Sequence, residues 1–401
     1  MEPAVVAAMI AAGVSVLTLI GTLAAQYFGR RATSRDTEKA LDRTLTEQRT
    51  RTLNERFATA ADKLGDDKPP AVKLAGVYAM AGLADDWKEN RQTCIDVLCG
   101  YLRMPYEPDP GEQAATSARL AFRADREVRH TVIRIIAAHI RDGAAKSWQG
   151  LDLDFTGVVF DGGDFTHANF SGGNVDFTSA EFAGGNVDFS SAVFAGGQVN
   201  FLSAKFTGST VGFDSAKFIG GLVWFDRADF SGGNVDFKRA EFSGSNVDFD
   251  GADFSGGNVD FWGARFSDGR VDFSGAEFTS GHVGFSYTTF AGSTVRFNRA
   301  TFSGGNVDFS YAKFISGYIG FSYTTFTGST VRFDSATFSG TSVDFIGDFA
   351  DAKFSDGTVD FSNPRDWSHP PAFPWTSGSP LSISTPPPSV KLPKKEDQSQ
   401  V

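Results

Sequence analysis

The chain is poor in the side chains that most often carry catalysis and metal binding. Its 401 residues include only two cysteines and five histidines. Cys94 and Cys99 are too few for a disulfide framework, and no second Cys or His pair stands at the ligand spacing of a zinc site. We expect both to be buried thiols of a helix in a reducing compartment.

The histidines give no catalytic pattern. His130 and His139 lie nine residues apart on one apolar-periodic stretch, and no carboxylate or cysteine stands four residues from either. We predict that both lie on a helix surface. There is also no Ser/His/Asp set and no carboxylate pair on a predicted cleft. The sequence therefore predicts a protein that is not an enzyme, with no catalytic residues, no metal site and no cofactor.

Charged residues are absent from Ala4 to Phe28. These 25 positions, at 1.5 Å of rise each, are enough to cross a hydrocarbon layer of about 30 Å. The sequence therefore predicts a transmembrane helix over 4–28, with the lipid bilayer as a partner. Small residues such as Gly13 and Gly21 would let a second copy pack closely, which makes a homodimer possible.

The arginines Arg30, Arg31 and Arg35 follow this stretch, whereas the few residues before it include no Lys or Arg. Basic residues flanking a membrane span favour the cytoplasmic side. We therefore expect a single-pass protein of the cell membrane, with its C-terminal bulk in the cytoplasm.

Two helical segments are predicted next. Residues 33–64 are rich in Arg, Glu, Asp, Thr and Ala, which is typical of a charged linker helix. Residues 65–148 contain three apolar-periodic stretches, at 72–83, 95–102 and 128–140, which predict a small helical bundle.

Phenylalanine is the residue present in excess, with 40 Phe against 8 Tyr and 6 Trp. All but four of them lie between Phe155 and Phe361. They recur every fifth residue from Phe155 to Phe170, and thereafter at alternating spacings of seven and five. A compositional bias with a fixed period indicates a repeat architecture.

The repeat has the alternation of a β-strand. Each Phe is preceded, two positions earlier, by a small or branched residue, as in "VDFTSAEFAGGN" (175–186). Residues i and i−2 would point inward and the polar residue between them outward. Because a single twelve-residue unit could not enclose two Phe rings, we predict two units, or about 24 residues, per coil.

The string "THANF" (166–170) resembles the A(D/N)LXX pattern of the pentapeptide-repeat family, with Phe in the central position. Residues 54–141, with "KLAGVYAMAGLADD" and "EVRHTVIRIIAAHIRD", resemble the helical module of bacterial membrane-anchored pentapeptide-repeat proteins. The resemblance implies a mainly β fold: a right-handed quadrilateral β-helix over 151–361, preceded by the transmembrane helix and the helical module. Residues 362–401 are rich in Pro and Ser without a period, and we predict a disordered tail.

The predicted solenoid is acidic. Residues 151–361 contain 26 Asp and Glu against 12 Lys and Arg, a net charge of −14, whereas the whole chain carries −11. This charge argues against direct binding of nucleic acid and suits a basic protein surface.

Positions that are one predicted coil apart become neighbours on stacked coils. One column then places three acids in succession, Asp229, Asp253 and Glu277, where like charges repel. Other columns stack Lys238 on Trp262, as a cation–π pair, and Tyr287 on Tyr311. These seven residues form the predicted interaction surface.

Two functions follow. The first is a non-catalytic, membrane-anchored scaffold that binds a protein partner whose identity the sequence does not specify. The alternative is a DNA mimic that modulates a type II topoisomerase or another DNA-binding enzyme, because some pentapeptide-repeat proteins resemble B-DNA in width and charge.

Overall fold

The structure is a computed structural model, and it describes residues 3–107, 109–346, 352–375 and 385–394. The chain divides into two compact units, residues 1–62 and 63–401. The first unit is formed by one helix, α1, over Pro3–Lys63. The predicted transmembrane and linker helices are therefore parts of one continuous helix.

The transmembrane helix predicted over 4–28 is not supported. No helix in the part of the chain that the structure describes combines the length and the apolar character needed to cross a membrane. Several side chains of this stretch, at 5–12 and 16, lie outside the described residues.

The second unit begins with a small helical module. It contains α2 (Pro70–Asp86), a 3-10 turn (Lys88–Asn90), α3 (Arg91–Arg103) and α4 (Thr116–Ile140). The three predicted apolar stretches lie in α2, α3 and α4, and their apolar residues are largely buried. Cys94 and Cys99 are buried free thiols of α3, as predicted. Burial, and then the charge of Asp96, raises the pKa of Cys94 to about 11 and that of Cys99 to about 12, so both stay protonated and unreactive at neutral pH.

A solenoid of parallel strands follows, and it confirms the 24-residue coil. Val199 pairs with Val223, which pairs with Val247, so the register advances by two twelve-residue units at each step. The first step is slightly shorter, since Leu153 pairs with Val175. The solenoid completes about eight turns.

Each coil has four faces, which we number 1 to 4 in chain order. The strands of face 1 are Leu153–Asp154, Asn174–Asp176, Gln198–Asn200, Leu222–Trp224, Asn246–Asp248, Arg270–Asp272 and Ser342–Asp344. The strands of face 2 are Val159–Phe160, Glu181–Phe182, Glu277–Phe278, Thr301–Phe302, Thr325–Phe326 and Lys353–Phe354. Single bridges at Lys205, Asp229 and Asp253 complete face 2.

Face 3 is the most regular. Its strands are Gly163–Asp164, Asn186–Asp188, Thr210–Gly212, Asn234–Asp236, Asn258–Asp260, His282–Gly284, Asn306–Asp308, Thr330–Arg332, Thr358–Asp360 and Val390–Lys391. Face 4 holds Val193–Ala195, Lys217–Ile219, Glu241–Ser243, Arg265–Ser267 and Thr337–Phe338. Two longer strands, Thr289–Arg296 and Lys313–Gly320, continue from face 4 around the corner to face 1.

The core is a set of four phenylalanine columns, one for each face. Rings of successive coils stack almost parallel: Phe213 and Phe237 lie 4.8 Å apart between centroids, as do Phe237 and Phe261. Rings of the opposite columns of faces 1 and 3 meet edge to face, as Phe225 and Phe237 do at 5.9 Å. The predicted inward orientation of the Phe and of the residue two before it is confirmed, because both positions are buried.

Tight corners separate faces 1 and 2, and faces 3 and 4. In the corner at Phe177 the N–H of Ala180 donates to the carbonyl of Phe177, and Ser179 has a φ of 55°. Gly157, Gly251, Gly263 and Gly275 occupy this position at four corners. Twelve other units place a non-glycine residue there at a cost of roughly 1–2 kcal/mol each; they are His167, Ser179, Ser191, Ser203, Ser215, Arg227, Arg239, Tyr287, Arg299, Tyr311, Tyr323 and Ser335.

The disordered tail predicted for 362–401 is wrong for the described part of this segment. Ala372 bridges Asp344, Phe373 stacks on Phe345 with centroids 5.2 Å apart, and Val390 pairs with Val359 at the end of face 3. These contacts cover the last phenylalanines and pair the last strand edge, which would otherwise be exposed. Residues 376–384 and 395–401 lie outside the described residues.

Candidate interaction surfaces

Many acids of the solenoid have a structural role at the tight corners. Where an Asp precedes the corner Phe, its Oδ1 accepts the N–H two residues later, as that of Asp176 does from Thr178 at 2.8 Å. The same bond is formed by eleven of the 26 acids of residues 151–361: Asp154, Asp164, Asp176, Asp188, Asp236, Asp248, Asp260, Asp272, Asp308, Asp344 and Asp360. Local bonds of this kind stabilise turns, so much of the net charge of −14 is explained by the corners.

The predicted acidic column is present on face 2. Asp229 is bridged to Asp253, and Asp253 to Glu277, in successive coils. Asp229 accepts the N–H of Ser231 at 2.9 Å, whereas Oδ1 of Asp253 is buried and accepts no hydrogen bond from the described residues. None of the three carboxylates forms an ion pair within the described part of the chain. We call these three residues the acidic column.

The corner beside the acidic column carries further carboxyl groups. Burial, and then the charges of Asp248 and Asp250, raises the pKa of Asp226 to about 6. Burial also raises the pKa of Asp248. Asp226 therefore loses part of its negative charge just below neutral pH.

The predicted aromatic residues meet at the corner between faces 3 and 4. The rings of Tyr287 and Tyr311 stack at 4.8 Å with planes 6° apart, and the Trp262 ring lies 5.7 Å from that of Tyr287. These side chains are 42% (Trp262), 50% (Tyr287) and 43% (Tyr311) exposed. We call them the aromatic ledge. Because it lies at the corner of faces 3 and 4, the structure does not bring it together with the acidic column on face 2.

The cation–π pair predicted between Lys238 and Trp262 is not formed. Nζ of Lys238 lies 2.9 Å from Oδ2 of Asp236 and 3.5 Å from that of Asp260. The hydrogen bond and charge of Asp236 raise the pKa of Lys238. Asp236 and Asp260 thus hold the ammonium group of Lys238 in ion pairs, and it does not lie over the indole ring of Trp262.

The histidines of α4 are paired, so the prediction of two surface histidines is wrong. Nε2 of His130 lies 2.8 Å from Oδ1 of Asp161, in the first coil of the solenoid. His139 stacks on Trp148 with centroids 4.0 Å apart, and its Nε2 lies 3.3 Å from Asp85. Both carboxylates are distant in sequence, so the residues four positions from each histidine do not indicate them.

Asp161 joins the helical module to the solenoid. Its Oδ2 accepts hydrogen bonds from the Tyr106 hydroxyl at 2.7 Å and from Nε of Arg126 at 2.9 Å, besides the contact with His130. Burial alone would raise the pKa of Asp161, but the hydrogen bonds from His130 and Tyr106 and the charges of His130 and Arg126 hold it below its ordinary value. The one sequence feature that could have indicated this site is the spacing of Arg126 and His130, which places both on one face of α4.

We predict that Asp161→Asn lowers the free energy of unfolding by about 2–3 kcal/mol at pH 7, because it leaves buried donors without a charged acceptor. The pKa of Asp161 is lower in the folded state, so its contribution is present above the unfolded value of about 4 and is lost as pH falls through the folded value. Urea unfolding at pH 7 and near pH 3 measures the free energy of unfolding. We expect the difference between Asp161→Asn and wild type to be smaller near pH 3. Glu107→Gln, an exposed change nearby, serves as control; an equal loss in both variants would contradict the prediction.

No group of three or more His, Cys, Asp or Glu side chains among the described residues is placed to hold a metal ion.

Residues 232–277 match the family model described as "Pentapeptide repeats (9 copies)". They include Lys238, Trp262 and the whole of the stretch from Asp253 to Glu277. No curated protein matches the chain, and no solved structure does. The matched residues lie within a solenoid of stacked four-sided coils that extends on both sides of them, so the solenoid of this chain is built from pentapeptide repeats.

Proposed function

We propose that the chain is a non-catalytic interaction protein whose solenoid presents the aromatic ledge to a protein partner. The ledge is the observation that carries the proposal. Trp and Tyr are the residues that most often dominate the binding energy of protein interfaces, and contiguous exposed rings are uncommon on surfaces that remain in water. Stacking between Tyr287 and Tyr311 holds these rings in place before binding, which lowers the entropy cost of association.

The acidic column is a second contact region on another face. Its three carboxylates form no ion pair within the described residues, and the Lys or Arg side chains of a partner would supply one. The alternative of a DNA mimic uses the same charge and stays a prediction. It is weakened because eleven of the acids close corners instead of forming a phosphate-like array.

The location at the cell membrane with a cytoplasmic C-terminal bulk stays a prediction of the sequence, as do the homodimer and the right-handed sense of the coil. Access of an external protease to a C-terminal tag on intact cells tests the topology.

Site-specific photo-cross-linking tests the aromatic ledge. With p-benzoylphenylalanine in place of Tyr311, we expect a defined covalent adduct in the cells that produce the protein, and the adduct should disappear when Trp262→Ala and Tyr287→Ala are added. The matched control is Tyr323, which has the same backbone conformation at the opposite corner and contacts Arg299 at 5.5 Å. Equal adducts at both positions, or none at Tyr311, would refute the proposal.

A further inference from the structure

A cavity lies between the helical module and the first coils of the solenoid. Its volume is about 740 Å³, within the range of roughly 300–1,000 Å³ that is common for small-molecule sites. Its walls come from α4, from the segment that follows α3, and from the Ala183–Gly185 corner of the solenoid. Gly184 at this corner leaves open space where a side chain would stand.

Three arginines of α4 line this cavity: Arg119, Arg123 and Arg126. Spacings of four and three residues place them on one face of the helix. Arg126 is bound to Asp161. Within the described residues, the guanidinium groups of Arg119 and Arg123 form neither an ion pair nor a side-chain hydrogen bond, so both are available to a ligand.

The wall beside these arginines is aromatic and held in place. The rings of Tyr106 and Phe122 stack with centroids 5.9 Å apart, and the guanidinium group of Arg129 lies 4.2 Å from the centroid of the Tyr106 ring. Burial, and then the hydrogen bond to Asp161, raises the pKa of Tyr106, so its hydroxyl stays protonated and keeps donating to Asp161. The aromatic wall is therefore preorganised.

We propose that this cavity binds a small phosphate monoester with an aromatic or apolar body. Two unpaired guanidinium groups one helical turn apart match the charge and the several acceptor oxygens of a phosphate dianion. Tyr106 and Phe122 would pack against the body of the ligand. The proposal concerns a site separate from the aromatic ledge and does not rest on the function proposed above.

Carboxylates also line the cavity, and their negative charge affects the binding of an anion there. Asp161 is compensated by Arg126, and Oδ1 of Asp109 accepts the N–H of Gly111 at 2.8 Å, which holds it in a turn. Glu112 is exposed and forms no ion pair within the described residues. Its charge opposes an anion, so Glu112→Gln should strengthen phosphate binding.

Calorimetric titration of the purified full chain with phenyl phosphate and with inorganic phosphate tests the site. We expect phenyl phosphate to bind more tightly than inorganic phosphate, because it also buries a ring on the aromatic wall. The double variant Arg119→Gln/Arg123→Gln should lose at least about tenfold in affinity, which corresponds to about 1.4 kcal/mol. Glu112→Gln should gain about two- to fivefold.

Arg134→Gln is the control, because it also removes positive charge from α4, but at an exposed position paired with Glu127. It should bind like wild type. Unchanged circular dichroism and thermal midpoint show that each variant is folded. The proposal is overturned if the folded wild type binds neither compound at about 10 mM, or if the double variant and Arg134→Gln bind equally well.

Discussion

Replacement of Phe237 by alanine should lower the free energy of unfolding by about 3–5 kcal/mol. The ring is fully buried and stacks on Phe213 and Phe261 at 4.8 Å, with edge contacts to Phe225 and Phe249 at 5.9 and 6.2 Å. Its removal leaves a cavity in the middle of the array and takes away the ring contacts in both directions along it. Urea unfolding followed by circular dichroism measures this loss in the free energy of unfolding.

The position of the cavity also affects cooperativity. In a solenoid each coil contacts only its neighbours, so weakening one interface lets the coils on either side unfold separately. For Phe237→Ala we therefore expect a second transition in the urea unfolding curve, or a smaller slope of the free energy of unfolding against urea concentration. Trp262→Ala removes an exposed aromatic ring from the next coil and should cost less than about 1 kcal/mol. A loss for Phe237→Ala no larger than that for Trp262→Ala would contradict the role of the Phe columns.

The sequence predicts the phenylalanine core because every coil buries Phe rings at the same positions. The position two before each Phe is buried, and a 24-residue step superimposes Val199, Val223 and Val247. The corners were harder to predict. The second residue after the corner Phe has a positive φ whether it is Gly263, Arg239 or Tyr287, so residue type does not indicate the conformation. At eleven corners an Asp before the Phe indicates the turn, because its carboxylate accepts the N–H two residues later.

The end of the solenoid was missed for a related reason. The segment from Asn363 has no period, so the repeat pattern does not predict structure there. It contains Trp367, Phe373 and Trp375, however, and these aromatic rings pack on the last phenylalanines of the core. The end of a repeat array needs a cap that differs from the repeat, since the cap covers the core without a further coil.

The junction at Asp161 could not be predicted from local spacing. His130 lies 31 residues from Asp161 and Tyr106 lies 55 residues from it, on different elements. Folding brings them together only because α4 packs against the first coil. The acidic column and the stacked tyrosines are different, because the 24-residue register alone places their members side by side.

Replacement of Gly257 by alanine should destabilise the solenoid by about 3 kcal/mol, although only a methyl group is added. Gly257 lies at the wide corner between faces 2 and 3, where its N–H donates to the carbonyl of Phe230 in the previous coil at 3.1 Å. A Cβ there would overlap that carbonyl oxygen and would stand 2.7 Å from the oxygen of Gly233. Both obstacles are backbone, so relief requires the coils to move apart and weakens the stacking of the Phe columns above and below.

The matched control is Gly184→Ala at the same corner of an earlier coil. No atom lies within 4 Å of the added Cβ at this position, and its φ is not in the left-handed region. Alanine there should be neutral or should stabilise the fold by up to about 1 kcal/mol, because it restricts the unfolded chain. Thermal and urea unfolding of both variants separates the two cases. Equal effects would mean that the wide corners can open without cost, and that glycine is present there for chain flexibility. A large loss in Gly257→Ala alone means that close approach of successive coils requires it.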